Sequence, residues 1–500
     1  MDLAGPASHR RPIVLNLRAM TERLTPEAAV DRLEALYEEA TAALRAALAR
    51  YLAGGAPPTP EERARFVYPE IAVTYAPERA APRNRRAYAK FSQPGLYRTT
   101  VTQPGFFRRY LLDQLRPLTT EYDATLDVRP STQEIPYPYV LDGAADLTAD
   151  ARTPAELARH FPVPLLSLVG DEVADGIMDG LPQGTLPLAL FDAVRVDYSL
   201  RRLIHYTGTD WRSVQPWILL TNYHRYVDQF VGWAMAEIAA GRAERLVAPG
   251  GLTVTAETLD GGAARIAASA WHRYQMPAYH LERRGTAGIT LVNIGVGPSN
   301  AKNITDHLAV LRPHCWLMIG HCGGLRQAQE IGDYVLAHAY LRRDRILDAL
   351  VPPEIPIPAL AEIQTALQEA CAAVTGMSGE ALKHRLRTGT VVTNNDRNWE
   401  LRYTQEARLF NLSRAIAVDM ESGTIAAQGY RLRVPYGTLL CVSDKPLHGE
   451  IKLPGAANAF YASAVAQHLL VGLDAVERLK RAGGTIHSRK LRSFDEPPFR

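Results

Sequence analysis

The chain has 500 residues, 47% hydrophobic and 22% charged, enough for two or three domains with cores of their own, and no stretch is of low complexity. Its 56 basic and 53 acidic residues nearly cancel, which argues against a surface that coats nucleic acid and for a small anionic partner held by local basic clusters. Cys315, Cys322, Cys371 and Cys441 form no CxxC pair and have no His/Cys ligand set nearby, and no apolar run approaches the roughly 18 residues of a membrane span, so a cytoplasmic protein without zinc, disulfides or membrane contact is expected.

In chain order, residues 30–52 carry apolar side chains at helical spacing and end before Gly54-Gly55, which predicts an amphipathic helix. Ala56-Pro57-Pro58-Thr59-Pro60 breaks the chain, and residues 65–150 mix short β-rich runs (70–75, 97–102) with prolines and arginines, an α+β composition. The Pro- and Gly-containing LPQGTLPLAL at 181–190 has the character of a linker and places the main boundary near residue 195. Beyond it, apolar strands at 217–220, 289–296, 315–320, 334–340, 390–393, 416–419 and 437–442 alternate with helical patterns, the signature of an α/β layer architecture. A helix over 459–482 and a basic, fraying tail follow. The expected division is therefore an α+β domain at 1–195, an α/β domain at 196–485 and a tail at 486–500.

Four stretches at strand ends carry the chemistry. IGVGPSN at 294–300 follows the strand ITLVN and opens a helix; Gly297 lets backbone approach a ligand, although a plain tight turn also fits, and Asn300 in place of a third glycine disfavours a dinucleotide site. IGHCGGL at 319–325, with Gly320, closes the next strand, so two glycine loops share one sheet edge. In AVDMES at 417–422, Glu421 either relieves a helix dipole or grips a diol. The buried-looking run that ends in CVSDKPLHGE sets Asp444 at the carboxyl end of a strand, where open α/β sheets bind ligands. His307, His314 and His384 have no partners at ligand spacing and read as structural.

VNIGVGPSNAKNITDHLA, LMIGHCGGL, AVDMESGTIA and LLCVSDKPLHGE, in this order, resemble the nucleoside phosphorylase and nucleosidase superfamily, and with VVTNNDRNWELR and an extra N-terminal domain they resemble its AMP nucleosidase family. The resemblance implies a three-layer α/β domain with a mixed central sheet, Asp444 as the catalytic acid, and Glu421, with Met420 beside it, as the ribose-binding pair. It aligns Arg225 in LLTNYHRYV with a phosphate-binding arginine and His205 with a histidine brought to the substrate 5′ end from a neighbouring subunit. Where phosphorylases carry an arginine and a serine in a pattern like RVGSCG, this chain has Met318 and His321, which removes the guanidinium fork suited to phosphate and favours water as nucleophile. The alternatives are a phosphorylase and a non-catalytic nucleotide sensor.

Breaking a purine N-glycosidic bond builds positive charge on the ribose and negative charge on the base. Asp444 as a carboxylic acid would donate to N7, an apolar strand end favouring its protonated form, and Lys445 would point to the opposite face. Arg201 and Arg202 are either a 5′-phosphate site or a solvated face, and Trp399 either packs near the base or belongs to the core. The arginine-rich RNRRAYAKF (83–91) and FFRRY (106–110) are either regulatory or part of an oligomer interface. The resemblance further implies AMP as substrate, no required cofactor, ATP arriving with magnesium as activator, phosphate as inhibitor, and a homohexamer.

Overall fold

A computed structural model describes residues 23–77, 90–141, 153–177, 184–451, 458–482, 486, 491–493 and 496–500. The first helix, Pro26–Leu52, starts where the Thr25 side chain accepts from the Ala28 amide, and buries Val30, Leu33, Tyr37, Leu44, Leu48 and Tyr51 at helical spacing. That stripe lies on a sheet of β1 (Val67–Tyr75), β2 (Gly95–Thr100), β3 (Thr125–Glu134) and β4 (Thr185–Pro187), in the order β3-β1-β2-β4. The 181–190 stretch is thus not a linker where it is described: β4 pairs in parallel with β2, and the run of Leu188, Ala189, Leu190 and Phe191 is buried. Residues 181–183 and 83–89 lie outside the described residues.

The second sheet contains β5 (Trp217–Thr221), β6 (Arg245–Ala248), β7 (Leu252–Thr255), β8 (Ala278–Glu282), β9 (Ile289–Asn293), β10 (Cys315–Gly324), β11 (Tyr334–Arg343), β12 (Leu386–Asn394), β13 (Ala417–Asp419) and β14 (Tyr436–Asp444). Its order is β13-β12-β11-β14-β10-β5-β9-β8-β6-β7, and β13 also pairs with β10, which closes one end of the sheet on itself. The seven strands expected from the apolar runs are all present; β3, β4 and the β6 to β8 group were not foreseen. β9, β5, β10 and β14 are mutually parallel, so their carboxyl ends meet at one edge. Helices Asn458–Arg481, Ala361–Thr375 and His224–Ala239 pack together over the sheet, while Ser422–Leu432, Pro298–Leu308 and Ala193–Thr207 form a second packed group. The result is the expected mixed-sheet α/β fold with an N-terminal α+β part.

The two sheets do not pack independently. Asp197, buried in helix Ala193–Thr207, accepts from Tyr68 at 2.6 Å and from Thr102 at 2.8 Å, and burial raises its carboxyl to about 7. The end of the chain, expected to fray, is packed: Phe499 is 1% exposed, its amide donates to Leu188 O at 2.9 Å, and Arg433 donates to the carbonyls of Pro497 and Phe499. An aromatic residue between two elements loses more by leaving an apolar site than chain entropy gains from its release.

Candidate active site

The loop after β5 is the hub. β5 lies between β9 and β10, so Asn222, one residue past its end, stands at the edge where their carboxyl ends meet. Its Nδ2 donates to Glu421 Oε2 at 2.9 Å, and its Oδ1 faces the His321 amide at 3.4 Å. The glycine at 320 makes room for it: a Cβ there would stand 2.8 Å from Asn222 Oδ1 and 2.5 Å from Met318 Cε. After β9, Gly297 takes φ +119°, a region closed to other residues, and points its amide at Glu421 Oε1, 2.6 Å away.

Glu421 itself is fully buried between β13 and helix Ser422–Leu432. Two residues before it, Asp419 accepts from the Thr393 hydroxyl at 2.7 Å and the Ser422 amide at 2.8 Å. Burial raises both carboxyls above their ordinary range, and the neighbouring Asp419 charge raises Glu421 further. Two donors, Asn222 and Gly297, lean the other way by binding the carboxylate form.

Asp444 ends β14. In the ladder Gly323 of β10 stands opposite Asp444 on one side and opposite Val418 of β13 on the other. The backbones carrying Asp444 and the Asp419-to-Glu421 turn are therefore two strand spacings apart, about 10 Å, with a glycine between them. Asp444 is half-buried rather than enclosed, and Ser443 donates to its Oδ1 at 2.5 Å. Lys445 is turned away, as strand alternation implies, into a 2.5 Å pair with Glu450 Oε1, and His448 Nε2 lies 3.4 Å from Leu325 O.

Asp444, Met420 and Glu421, Gly297 and Gly320 thus converge at one edge. Arg225 is exposed in the first turn of helix His224–Ala239, two residues beyond the Asn222 loop. The others lie elsewhere. Arg201 donates to Tyr139 O and faces the Tyr139 ring, burial lowering its guanidinium to about 10, and Arg202 donates to the Tyr206 hydroxyl; neither is a solvated face. His205 is exposed, with its ring 5.2 Å from that of Tyr206. Trp399 belongs to a small core with Phe410, Leu325, Val392, Ala415 and Val418, its ring 5.0 Å from Phe410, which favours the core reading. In FFRRY, Arg108 pairs with Asp31 at 2.7 Å, tying two helices together. Sequence reasoning missed Asn222, Asp419, Thr393 and Ser443. The signal for Asn222 was its place directly after a buried strand, in the loop that was aligned only for its arginine.

The family described as "Bacterial AMP nucleoside phosphorylase N-terminus" matches residues 28–185, and the "Phosphorylase superfamily" matches residues 272–471. The chain is 56% identical over 483 residues to AMP nucleosidase of Escherichia coli strain K12, covering 95% of this chain and 99% of that protein, and stands equally close to that of strain O157:H7. Among solved structures, AMP nucleosidase from Bacteroides thetaiotaomicron is 26% identical, aligned over 57% of this chain and 98% of that one with a TM-score of 0.41. At this identity over nearly the whole of both chains, the chain belongs to the AMP nucleosidase family.

Proposed function

We propose that the chain hydrolyses the N-glycosidic bond of AMP, releasing adenine and ribose 5-phosphate. The observation that carries this reading is the identity with full-length AMP nucleosidases, joined to a buried carboxylate and a strand-end acid whose strands both pair with β10 at Gly323. Glu421 accepts the 2′ and 3′ hydroxyls and, as an anion beneath the sugar, stabilises the positive charge that grows there. Asp444 donates a proton to the departing base, with the Ser443 hydroxyl holding one carboxyl oxygen so that the other faces the ligand. Met318, fully buried where phosphorylases place an arginine, offers nothing to a phosphate nucleophile, which favours water.

In this reading His205 serves a neighbouring subunit's site, for which an exposed side chain is required, and the assembly is a homohexamer. Arg225, in the first turn of the helix that follows the Asn222 loop, is the first choice for the 5′-phosphate, while Arg201 and Arg202 donate to Tyr139 and Tyr206. ATP with magnesium as activator and phosphate as inhibitor, acting through the N-terminal part, would fit a cytoplasmic role in controlling AMP for purine salvage. The test is Asp444→Asn: turnover of AMP falls by about 10² to 10⁴ while AMP still binds. Unchanged turnover would remove Asp444 from the mechanism.

A further inference from the structure

We propose that Asn222 is a positioning residue that presents Glu421 to the ribose diol and so sets the preference for ribosyl over 2-deoxyribosyl substrates. The inference rests on the reading of Glu421 as the diol-binding group. It is carried by the two-sided bridge of one carboxamide: Nδ2 to Glu421 Oε2 at 2.9 Å, and Oδ1 toward the His321 amide at 3.4 Å. The partners fix which way the amide points, since the oxygen faces an N–H and the nitrogen a carboxylate.

Other side chains do not fit the place. Aspartate would set a third carboxylate beside Glu421 and Asp419, serine would fall short of both partners, and alanine would leave Glu421 Oε2 without its donor. The glycine at 320 is part of the same arrangement, because a Cβ there would press on Asn222 Oδ1 at 2.8 Å. Gly297 secures the other oxygen of Glu421 at 2.6 Å, so the carboxylate is held at both ends and its plane is set by two loops of adjacent strands. If only Gly297 remained, the carboxylate would turn about that single contact. A bidentate grip on two hydroxyls would suffer, whereas a substrate with one hydroxyl would lose little.

The experiment compares wild type, Asn222→Ala and the isosteric Asn222→Asp on AMP and 2′-deoxy-AMP, following adenine release. With Asn222→Ala, kcat/KM for AMP falls roughly 10- to 100-fold, as for loss of other orienting partners. For 2′-deoxy-AMP the fall is several-fold smaller, so the preference for ribose collapses; Asn222→Asp weakens AMP further still. Equilibrium binding of ribose 5-phosphate and 2-deoxyribose 5-phosphate by calorimetry reads the same preference without turnover. Equal losses on both sugars, or no loss on either, would overturn the assignment, a merely structural role lowering both together. Wild type that binds both sugar phosphates equally would instead sink the reading of Glu421.

Discussion

At Glu421 a functional demand opposes stability. The carboxyl is fully buried two residues from Asp419, and both are raised above the ordinary carboxylate range by burial, Glu421 also by its neighbour's charge. A group that binds its proton more tightly when folded than when unfolded loses stability as pH rises out of its normal range, near 4.5 for a glutamate. Without ligand, Glu421→Gln is therefore close to wild type in melting temperature at pH 5 and gains on it as pH rises toward 8, while its activity is lost at every pH. Thermal denaturation of the two proteins across that range checks this; a wild-type advantage that grows with pH would show that the carboxylate is stabilised by its surroundings. The Met-Glu motif pointed to this residue from sequence, but its burial and its two donors did not, since Asn222 and Gly297 lie 199 and 124 positions away.

The elements that hold Glu421 are clamped from behind. Helices Pro298–Leu308 and Ser422–Leu432 begin at Gly297 and Glu421, and farther along they meet through Gln428, which donates to Asp306 at 2.5 Å. Arg431, its side chain 4% exposed, pairs with Asp175 and Asp306 and, at 3.0 Å, with Asp171, which also takes Arg195 at 2.7 Å. Removing one charge from such a cluster leaves the others buried and uncompensated, at a cost of about 3 to 5 kcal/mol. Arg431→Met is expected to lose that much in urea unfolding, and a loss below about 1 kcal/mol would mean that water already screens the cluster. None of this was legible in sequence, because 256 residues separate Arg431 from Asp175. Strands fared better where both faces are buried. β5, β9, β10 and β14 stand out as continuous apolar runs, whereas β7 at the end of the sheet is half-exposed and β3 carries Pro130 among polar residues, so neither shows an apolar run.

Over the whole molecule, one core joins the two sheets, and the chain's last residues help to close it. Phe499 packs with Tyr110, ring centroids 6.2 Å apart, against the buried segment around Leu188. The basic, proline-containing tail sequence gave no hint of this, since its buried apolar residues, Ile486, Leu491 and Phe499, are isolated among charged and polar neighbours. Phe499→Ala is expected to cost about 3 kcal/mol and to lower the melting temperature accordingly; a change within about 0.5 kcal/mol would return the tail to the frayed state expected from its composition. The choice of nucleophile is also a property of the whole molecule, since the site gathers residues from the ends of β5, β9, β10, β13 and β14. The decisive measurement is product analysis with purified protein and AMP in buffer freed of phosphate, and again with phosphate added. Hydrolysis requires adenine and ribose 5-phosphate to appear in the phosphate-free reaction. Turnover only when phosphate is present, yielding a 1-phosphorylated sugar, would show that an anion site exists despite Met318 and that the nucleophile is phosphate.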